Sequence, residues 1–556
     1  MKEEMQEICD DLRQRYDGLM SDRAVPQQAW DDIEAFVTPY RGRFFEESQT
    51  ESSIEWDRGW CYDSTAITAH QNLAAALHGS LSSPSIRWFE LRFRDEKLNK
   101  IKSVASWLYD ANEALYYALT DSNFNTEVNE TYQDICGFGT AALVLEEDDG
   151  KLLFSAIPLK EFCFEEDYQG RVLRFFRKLR WMPSKIMSKF GDDCPERVCE
   201  LAEKGKQEPL DVMFCVYPTD NKVVPLGAKA APSRRPWASC YFMYQGGECL
   251  GKSNTYYEMP VFIPRWRKTS CSLWGNAPSH FAMADIKSLN RVRKIMLQAS
   301  EKAIDPMIMV EERAIMGSFD FSASSVQVVR NIAGIKVFDS GINLAVGEHD
   351  VQQLQQSIKD HFFTDQLRLP DPQGTPATAY EISIRYQQMQ KLLGPTLGRL
   401  QNDLLDPIVG RTFKILMRSG AILPPPQEVI AAKAEYDIEY IGSLSAAQKA
   451  DRAASIERFV VAVGNMSAVF PESLDVVDSN ETVRQLARDL AIPPLLLRDK
   501  DEVEMLQDDR KAQQEQMQKA VVAEQQGKAQ QALGDAQLTQ PSSLASPGQT
   551  APMGGM

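Results

Sequence analysis

Residues 278–304 read PSHFAMADIKSLNRVRKIMLQASEKAI, and this stretch decides how the fold is organised. Apolar residues recur along it at intervals of three and four: Leu289, Val292, Met296, Ala299 and Ala303. That spacing places them on one face of a helix. At 1.5 Å per residue, such a helix over 279–304 would be roughly 40 Å long. The sequence pattern therefore changes at Pro278, from a β-rich stretch before it to a long amphipathic helix after it.

Downstream, the pattern predicts short strands over 318–340 and a helix over 349–368. A Pro- and Gly-rich loop follows, and Ala377 to Arg418 then reads as one long helix. Prolines at Gly394-Pro395 and Asp406-Pro407 predict kinks in it, because proline removes a helical hydrogen bond. Beyond it, 444–468 and 480–530 read as polar helices. From about 511 the chain is rich in Gln and Ala, and 540–556 is a Ser/Pro/Gly tail that is either disordered or ordered only in an assembly.

Upstream of Pro278, the patterns predict a mixed α/β region. Helices are expected over 1–40, 64–82 and 101–131, and a strand over 88–93. A hairpin is expected from Leu143 to Phe164, with Glu146 to Gly150 as its acidic turn. Residues 171–266 are β-rich with loops.

The composition excludes some functions. The net charge is −17, from 61 Lys and Arg against 78 Asp and Glu. Tight nucleic-acid binding is disfavoured because Lys and Arg supply the affinity for phosphate. The acidity serves solubility, or it gives a surface that DNA passes without sticking. The ten cysteines include no C-x-x-C pair, which predicts free thiols in a reducing compartment. No leader or membrane-spanning segment is expected.

The segment Gly246 to Ser253, GGECLGKS, matches the phosphate-loop pattern G-x-x-x-x-G-K-[ST]. A working phosphate loop needs a strand before it and a helix after it. The strand is credible at 241–244, but 254–262 is β-prone and interrupted by proline. The Gly-Gly pair therefore predicts a hairpin turn, and a nucleotide-binding ATPase remains the disfavoured alternative.

The other candidate sites are weak. Gly137-Phe138-Gly139-Thr140 predicts a tight turn before a strand, and the acidic run 146–149 predicts a solvated hairpin tip. His70 and His78 are expected to be packing residues. No catalytic, cofactor-binding or metal-binding residues are predicted, and no enzymatic activity is expected.

Three basic residues, Lys287, Arg291 and Lys294, form a stripe beside the apolar face of 279–304. On general grounds they are a solvated helix face. The alternative is contact with DNA or with a neighbouring subunit, since clustered basic residues on one face attract acidic partners.

Six segments of the chain, in order, resemble the podovirus head-to-tail connecting (portal) proteins of bacteriophages: 30–43, 62–89, 264–290, 375–426, 440–449 and 492–510. The fourth is the most specific, with TPATAYEI at 375–382, LGP at 393–395 and PPP at 424–426. Trp274 and Tyr380 depart from the family's usual residues. The resemblance covers nearly the whole of 30–510.

The resemblance implies a mixed α/β portal fold with a long kinked helix, and a subunit of a twelve-membered (dodecameric) ring. Its regions would be a wing at 1–277, stem helices at 278–304 and 346–368, a clip at 305–345, a tunnel loop at 369–378, a kinked helix at 379–426 returning to the wing, a crown at 427–510 and a C-terminal tail at 511–556.

The resemblance also implies a function and partners. The ring would sit at one capsid vertex and be the channel through which double-stranded DNA is packaged and ejected, independently of base sequence. The candidate DNA contacts are Arg368, immediately before the tunnel loop, and Gln373, Thr375 and Thr378 on it. The partners would be the terminase large subunit, tail adaptor or nozzle proteins, and the major capsid and scaffolding proteins, with no membrane. The protein would reside in the virion after assembly in the host cytoplasm. Another structural virion protein is the remaining alternative.

Overall fold

The computed structural model describes most of the chain, namely residues 2–39, 61–84, 87–99, 101–148, 150–204, 208–219, 235–269, 272–304, 308–310, 335–337, 344–364, 393–432, 436–440, 443–467, 470, 477–490, 492, 498 and 500–537. Mixed helix and sheet are present, as the sequence predicts.

The helices, in chain order, are α1 Lys2–Phe36, α2 Thr65–Leu81, α3 Glu96–Asn99, α4 Lys102–Asp121, α5 Phe124–Phe138, α6 Pro183–Phe190, α7 Glu196–Glu203, α8 Pro278–Ile304, α9 Leu344–His361, α10 Asp406–Ser419, α11 Gln427–Ala432, α12 Ser443–Ser467, α13 Ser479–Asp489 and α14 Lys500–Gln537. The strands are β1 Phe89–Phe93, β2 Ala142–Asp148, β3 Lys151–Ile157, β4 Phe162–Glu166, β5 Val172–Trp181, β6 Leu210–Pro218, β7 Trp237–Met243, β8 Cys249–Tyr256, β9 Val261–Phe262, β10 Ile308–Val310, β11 Ile335–Val337 and β12 Tyr436–Tyr440.

The largest sheet has five antiparallel strands in the order β4-β5-β6-β7-β8. Successive strand residues point to opposite faces, so neighbours such as Phe175 and Phe176 enter different cores. One face is covered by α1, which buries Leu12 and Tyr16 against it. The other face joins the main core. The first predicted helix is therefore confirmed, and its role is to cover this sheet.

The predicted hairpin after residue 142 is confirmed, but it is shorter than expected. Strands β2 and β3 pair from Ala142↔Ile157 to Asp148↔Lys151, and β9 joins the other edge of β2. Phe162 and Phe164 belong to β4 in the five-stranded sheet. Helix 101–131 is also corrected: the chain leaves the helix at Ser122 and Asn123 and resumes helical structure to Phe138.

Strand β1 pairs antiparallel with β12, from Phe89↔Tyr440 to Phe93↔Tyr436. The two strands are far apart in sequence. Phe89, Leu91 and Phe93 are buried on one side of this ribbon, where alternate residues of a strand share a face. The pairing thus closes the core with residues from the last third of the chain.

Helix α8 occupies the predicted amphipathic stretch, and Leu289 and Ala299 on its apolar face are buried. Helix α9 packs against it in the antiparallel direction. Ser357 donates to Asp285 (2.6 Å), and Gly347 lies against Met296 near the other end of the pair. Between the two helices, the described residues form one short ladder, β10 with β11.

Residues 393–419 are helical, and the predicted kink at Asp406-Pro407 takes the form of a π-helical turn, Gln401–Leu405. The Asp406 N–H donates to the carbonyl of Gln401, five residues earlier. Proline 407 has no N–H to offer the preceding turn, so the wider turn accommodates the missing bond. The predicted helix over 377–392 lies outside the described residues.

Candidate channel and subunit-contact surfaces

Asp63 joins the α8/α9 pair to the helical core. Its Oδ1 accepts the Thr65 backbone N–H (2.8 Å) at the start of α2. Its Oδ2 accepts bonds from Gln355 of α9 (2.8 Å) and Arg293 of α8 (3.4 Å). Burial alone would raise the pKa of this carboxyl, but these donors outweigh it and the pKa lies below its usual value. One carboxylate therefore fixes three helices relative to one another.

The base of α8 is fixed by two glycines in contact. Gly139 ends α5 in the left-handed conformation, with φ of +82°. A Cβ there would lie 2.7 Å from the carbonyl carbon of Gly275, closer than real Cβ atoms approach. Gly275 N–H donates to Thr140 (2.8 Å), and Trp266 N–H donates to the Gly139 carbonyl (2.9 Å). The predicted tight turn at 137–140 is thus the C-terminal end of α5, and it packs against the segment that leads into α8.

The structure places all three basic stripe residues on the exposed side of α8. Two of them have partners within the chain. Lys287 forms an ion pair with Asp32 of α1 (2.5 Å), and the Lys294 ammonium lies 5.7 Å from the ring centre of Tyr62. Arg291 has no ion pair within the described part of the chain. Contact of this stripe with DNA or a neighbouring subunit stays a prediction.

Arg368, Gln373, Thr375 and Thr378, the predicted tunnel-loop contacts, lie outside the described residues, which stop at 364 and resume at 393.

The phosphate-loop match is a β-hairpin turn, as predicted. Strand β7 leads into it, and β8 follows where a nucleotide-binding loop requires a helix. Gly246 and Gly247 both have positive φ, which suits a tight turn. The Gly247 N–H donates to the Met243 carbonyl (3.1 Å), so it is not free for a phosphate. Lys252 is exposed on β8.

The histidine prediction is also confirmed, whereas the reducing compartment expected from the cysteines stays a prediction. Buried His70 is hydrogen-bonded through Nε2 to the carbonyl of Gln133 (2.8 Å), and burial lowers the pKa of His78. The nine described cysteines are free thiols, and Cys9 lies 3.3 Å from Cys249, sulfur to sulfur. At the acidic turn, Glu147 is exposed.

Sequence reasoning missed a buried ion cluster beside the Gly139–Gly275 contact. Arg265 pairs with Glu166, and Lys268 pairs with the same carboxylate (2.5 Å). The Arg265 and Glu166 side chains are 8% and 12% exposed, so the pair is nearly dehydrated. These residues are distant in sequence, and no sequence pattern indicates that they are in contact.

A cavity of about 490 Å³ opens next to this cluster, between the 258–265 segment and α10. Two of its charged groups are paired with each other: Arg411 donates to the Glu258 carbonyl (2.8 Å) and lies 3.5 Å from the Glu258 carboxylate, which also pairs with Arg418 outside the cavity. No Ser, Thr, Cys or His lines the cavity among the described residues, so it offers no nucleophile with a neighbouring base. Throughout the part of the chain that the structure describes, no three His, Cys, Asp or Glu side chains converge as a metal site. No described helix is long and apolar enough to cross a bilayer.

The arrangement is that of a structural subunit: long helices tied to a mixed α/β body, with ion pairs that position elements and a phosphate-loop match that forms a hairpin. Comparison with known proteins agrees. The family described as "Bacteriophage head to tail connecting protein" matches residues 9–497, and the chain belongs to this family.

Two relatives are similar along nearly their whole length. One is described as "Probable portal protein" of Bordetella phage BPP-1, 26% identical over 528 residues, which are 92% of this chain and 93% of the relative. The other is described as "Portal protein" of Salmonella phage epsilon15, 23% identical over 536 residues and 95% of each chain. The chain therefore has a phage portal function and is a non-enzymatic virion component at the head-to-tail connection. The ATPase alternative is not supported.

Proposed function

We propose that twelve copies of this chain form a ring at one capsid vertex, and that double-stranded DNA enters and leaves the head through its centre. The observation that carries the proposal is the family match over 9–497, which includes the α8/α9 pair and the 375–426 segment. Assembly takes place in the host cytoplasm, and the ring ends in the virion.

In this proposal, the residues before Pro278 form the wing, α8 and α9 the stem, and 305–345 the clip that faces the tail. The tunnel loop is 369–378, and the kinked helix 379–426 returns to the wing. We start the crown after Tyr440 instead of at 427, because β12 is hydrogen-bonded to β1 of the wing. Residues 511–556 form the tail of the chain; α14 extends through the first part of it to Gln537.

The net charge of the chain supports a channel whose wall does not hold the DNA that moves through it. Each chain carries a formal charge of −17, so a ring of twelve is strongly acidic. A surface of the same sign as phosphate repels DNA and does not hold it. Contacts from Arg368, Gln373, Thr375 and Thr378 would be with the DNA backbone, which carries no sequence information.

The energy for packaging comes from a separate ATPase in this proposal, the terminase large subunit, docked on the clip. Tail adaptor or nozzle proteins take the same position after packaging, and the major capsid and scaffolding proteins surround the wing. The support is the family's connector role and the hairpin geometry at Gly246–Ser253.

The decisive experiment is electron microscopy of the purified chain with light scattering on the same sample. Twelve copies of 62.7 kDa have a mass of about 750 kDa, and end views should show a central hole. Closed rings of that mass support the proposal. Filaments, or monomers under all conditions of salt and concentration and with scaffolding protein added, contradict it.

The channel contacts need a separate test. Single alanine variants at Arg368, Gln373, Thr375 and Thr378 should form rings but change the rate of DNA packaging with the purified terminase. The variant Lys151→Ala, at the exposed end of the β2–β3 hairpin, is a control that should package like the wild type. Unchanged rates in all four loop variants would remove these residues from the channel.

A further inference from the structure

The core between α1 and the five-stranded sheet contains a cluster of cysteines that the portal function does not use. Strand pairing places Cys163, Cys215 and Cys240 in one row across β4 to β7. The row faces α1, which contributes Cys9 to the same core, and Cys249 of β8 packs at its edge. Five of the nine described cysteines therefore lie together, although they come from separate segments of the chain.

Within this cluster, the sulfurs of Cys9 and Cys249 are in hydrogen-bonding contact, 3.3 Å apart. A disulfide bond is about 2.05 Å long, so these sulfurs would need to approach each other by about 1.2 Å. Rotation about the two Cα–Cβ bonds supplies a movement of this size. The two residues are 240 positions apart in the sequence, so only the tertiary fold brings these thiols together.

The chain segments that carry this pair are held against each other. The Gln6 side-chain amide donates to the carbonyl of Gly246 (3.2 Å), and the Tyr244 hydroxyl donates to Asp17 (2.8 Å). These bonds join α1 to the turn between β7 and β8, on either side of Cys9 in the helix. Two groups that are held in contact react much faster than the same groups free in solution. The thiols are therefore prearranged for a reaction with each other.

The two thiols differ in their exposure. Cys9 is fully buried, and Cys240 of the same cluster is 3% exposed, whereas Cys249 is only half-buried. An oxidant therefore meets Cys249 first, with Cys9 behind it. The hydrogen bond with Cys9 and burial both raise the pKa of the Cys249 thiol. Since the thiolate is the reactive form, oxidation is slow, which suits a change that accumulates in a long-lived particle.

We propose that Cys9 and Cys249 are a redox modification site: they stay thiols while the chain folds and assembles, and a peroxide joins them as a disulfide in the virion outside its host. Disulfides persist in oxidising surroundings such as the outside of cells, and the protein is a component of a particle that passes through them. The inference does not depend on the number of subunits in the ring, nor on which residues contact DNA.

The reaction balances in two steps. The Cys249 sulfur attacks one oxygen of hydrogen peroxide, the O–O bond breaks, and the products are a sulfenic acid and one water molecule. The Cys9 sulfur then attacks the sulfenic sulfur, an S–S bond forms, and the hydroxyl leaves with the Cys9 proton as a second water molecule. The two thiols together lose two electrons and two protons, and the peroxide is reduced to water.

The disulfide would fix the start of α1 to the edge strand of the sheet. Because α1 covers one face of that sheet, its departure would expose Leu12, Tyr16 and the residues packed against them. A bond that closes a loop of 240 residues also limits the conformations of the unfolded chain, and long loops give the largest effect. The oxidised protein should therefore resist unfolding more than the newly made chain does.

The test uses the full-length chain, purified with a reductant that is then removed, before and after treatment with hydrogen peroxide. Remaining thiols are blocked, the protein is digested without reduction, and the peptides are analysed by mass spectrometry. We expect a joined peptide pair that contains Cys9 and Cys249, lighter by two hydrogen atoms than the sum of its parts and separated by dithiothreitol. The urea concentration at half-unfolding should rise by roughly 0.5–1 M on oxidation.

Two variants remove one thiol each. Cys9→Ser should leave the Cys249 sulfenic acid without its partner, so that a dimedone probe labels Cys249 and oxidation no longer raises the urea midpoint. Cys249→Ser, at the half-buried position, should prevent the joined peptides even if the buried substitution impairs folding. Cys194→Ser is the matched control, because Cys194 is also half-buried but its thiol donates to the carbonyl of Ile186 (3.7 Å). This variant should form the Cys9–Cys249 bond like the wild type.

Three results would overturn the inference. One is oxidation of Cys194 under conditions in which the proposed pair stays reduced. Another is a disulfide that joins Cys249 to a second copy of the chain, or one that joins Cys9 to Cys240. The third is a Cys9–Cys249 bond that forms only after urea has unfolded the protein, because the native contact would then not be its cause.

Discussion

The contact between Gly139 and Gly275 leads to a sharp prediction. Replacing Gly139 with alanine places a Cβ 2.7 Å from the Gly275 carbonyl carbon and 2.8 Å from the Ala277 nitrogen. Both neighbours are backbone atoms, so no side chain can rotate away. The chain must move where it enters α8, and the bond from Trp266 N–H to the Gly139 carbonyl is strained with it.

The magnitude follows from three contributions. A left-handed conformation costs a non-glycine residue about 1–2 kcal/mol. Overpacking adds about 1–3 kcal/mol, and loss of one backbone hydrogen bond adds about 1 kcal/mol. We expect Gly139→Ala to lower the free energy of unfolding by about 3–6 kcal/mol in total.

Gly150 provides a matched control, because it has a similar φ of +78° but no atom lies within 4 Å of the position that a Cβ would take. Gly150→Ala should therefore cost only the conformational part, about 1–2 kcal/mol. Urea unfolding of both variants, followed by tryptophan fluorescence, measures the difference. Hydrogen exchange at the Trp266 and Gly275 amides locates it. Equal destabilisation by the two substitutions would refute the close-contact argument.

Three further predictions concern charged and titratable groups. Burial lowers the pKa of His280 to about 4. As the pH falls, the unfolded chain therefore binds a proton at His280 before the folded chain does, and roughly 3 kcal/mol of stability should be lost between pH 6.5 and pH 4. His280→Asn should flatten that part of a stability-against-pH curve, and an unchanged slope would contradict the assignment. Glu166→Gln leaves buried Arg265 without its carboxylate and should lower the free energy of unfolding in urea by about 3–5 kcal/mol. Glu113→Gln, in the exposed pair with Arg87, should lower it by under about 1 kcal/mol. Similar losses of stability in the two variants would be evidence against a dehydrated Arg265–Glu166 pair. Lys252→Ala should leave DNA packaging unchanged, because Lys252 lies exposed on a strand. For the same reason, calorimetry should detect no ATP binding by the wild type or by the variant. ATP binding by the wild type that the substitution abolishes would restore the ATPase alternative.

Local patterns predicted local structure well. The three-and-four spacing from Leu289 to Ala303 predicted α8, and the β-prone residues after Ser253 predicted a hairpin in place of a nucleotide loop. Both depend only on neighbours in sequence, where periodicity and turn chemistry act.

The features that hold distant segments together were not predictable from local patterns. Asp63 meets Gln355, and Glu166 meets Arg265, only because the tertiary fold brings them together. Pro407 predicted a kink, but its form as a π-turn depends on how the helix packs. For the candidate site, sequence placed the three basic residues on one helix face, whereas the internal partners of Lys287 and Lys294 come from α1 and from the segment before α2.

The ribbon of β1 and β12 has a consequence for how the chain folds as it is made. At about 5–20 residues per second, β12 leaves the ribosome roughly 20–70 seconds after β1, because about 340 residues separate Phe93 from Tyr436. During that interval Phe89, Leu91 and Phe93 form an unpaired apolar strand, which is prone to pair with other chains. The core closes only when residues 436–440 have been synthesised. We therefore expect translation products that end before residue 436 to leave this part of the core open, so that they are not competent to join an assembly.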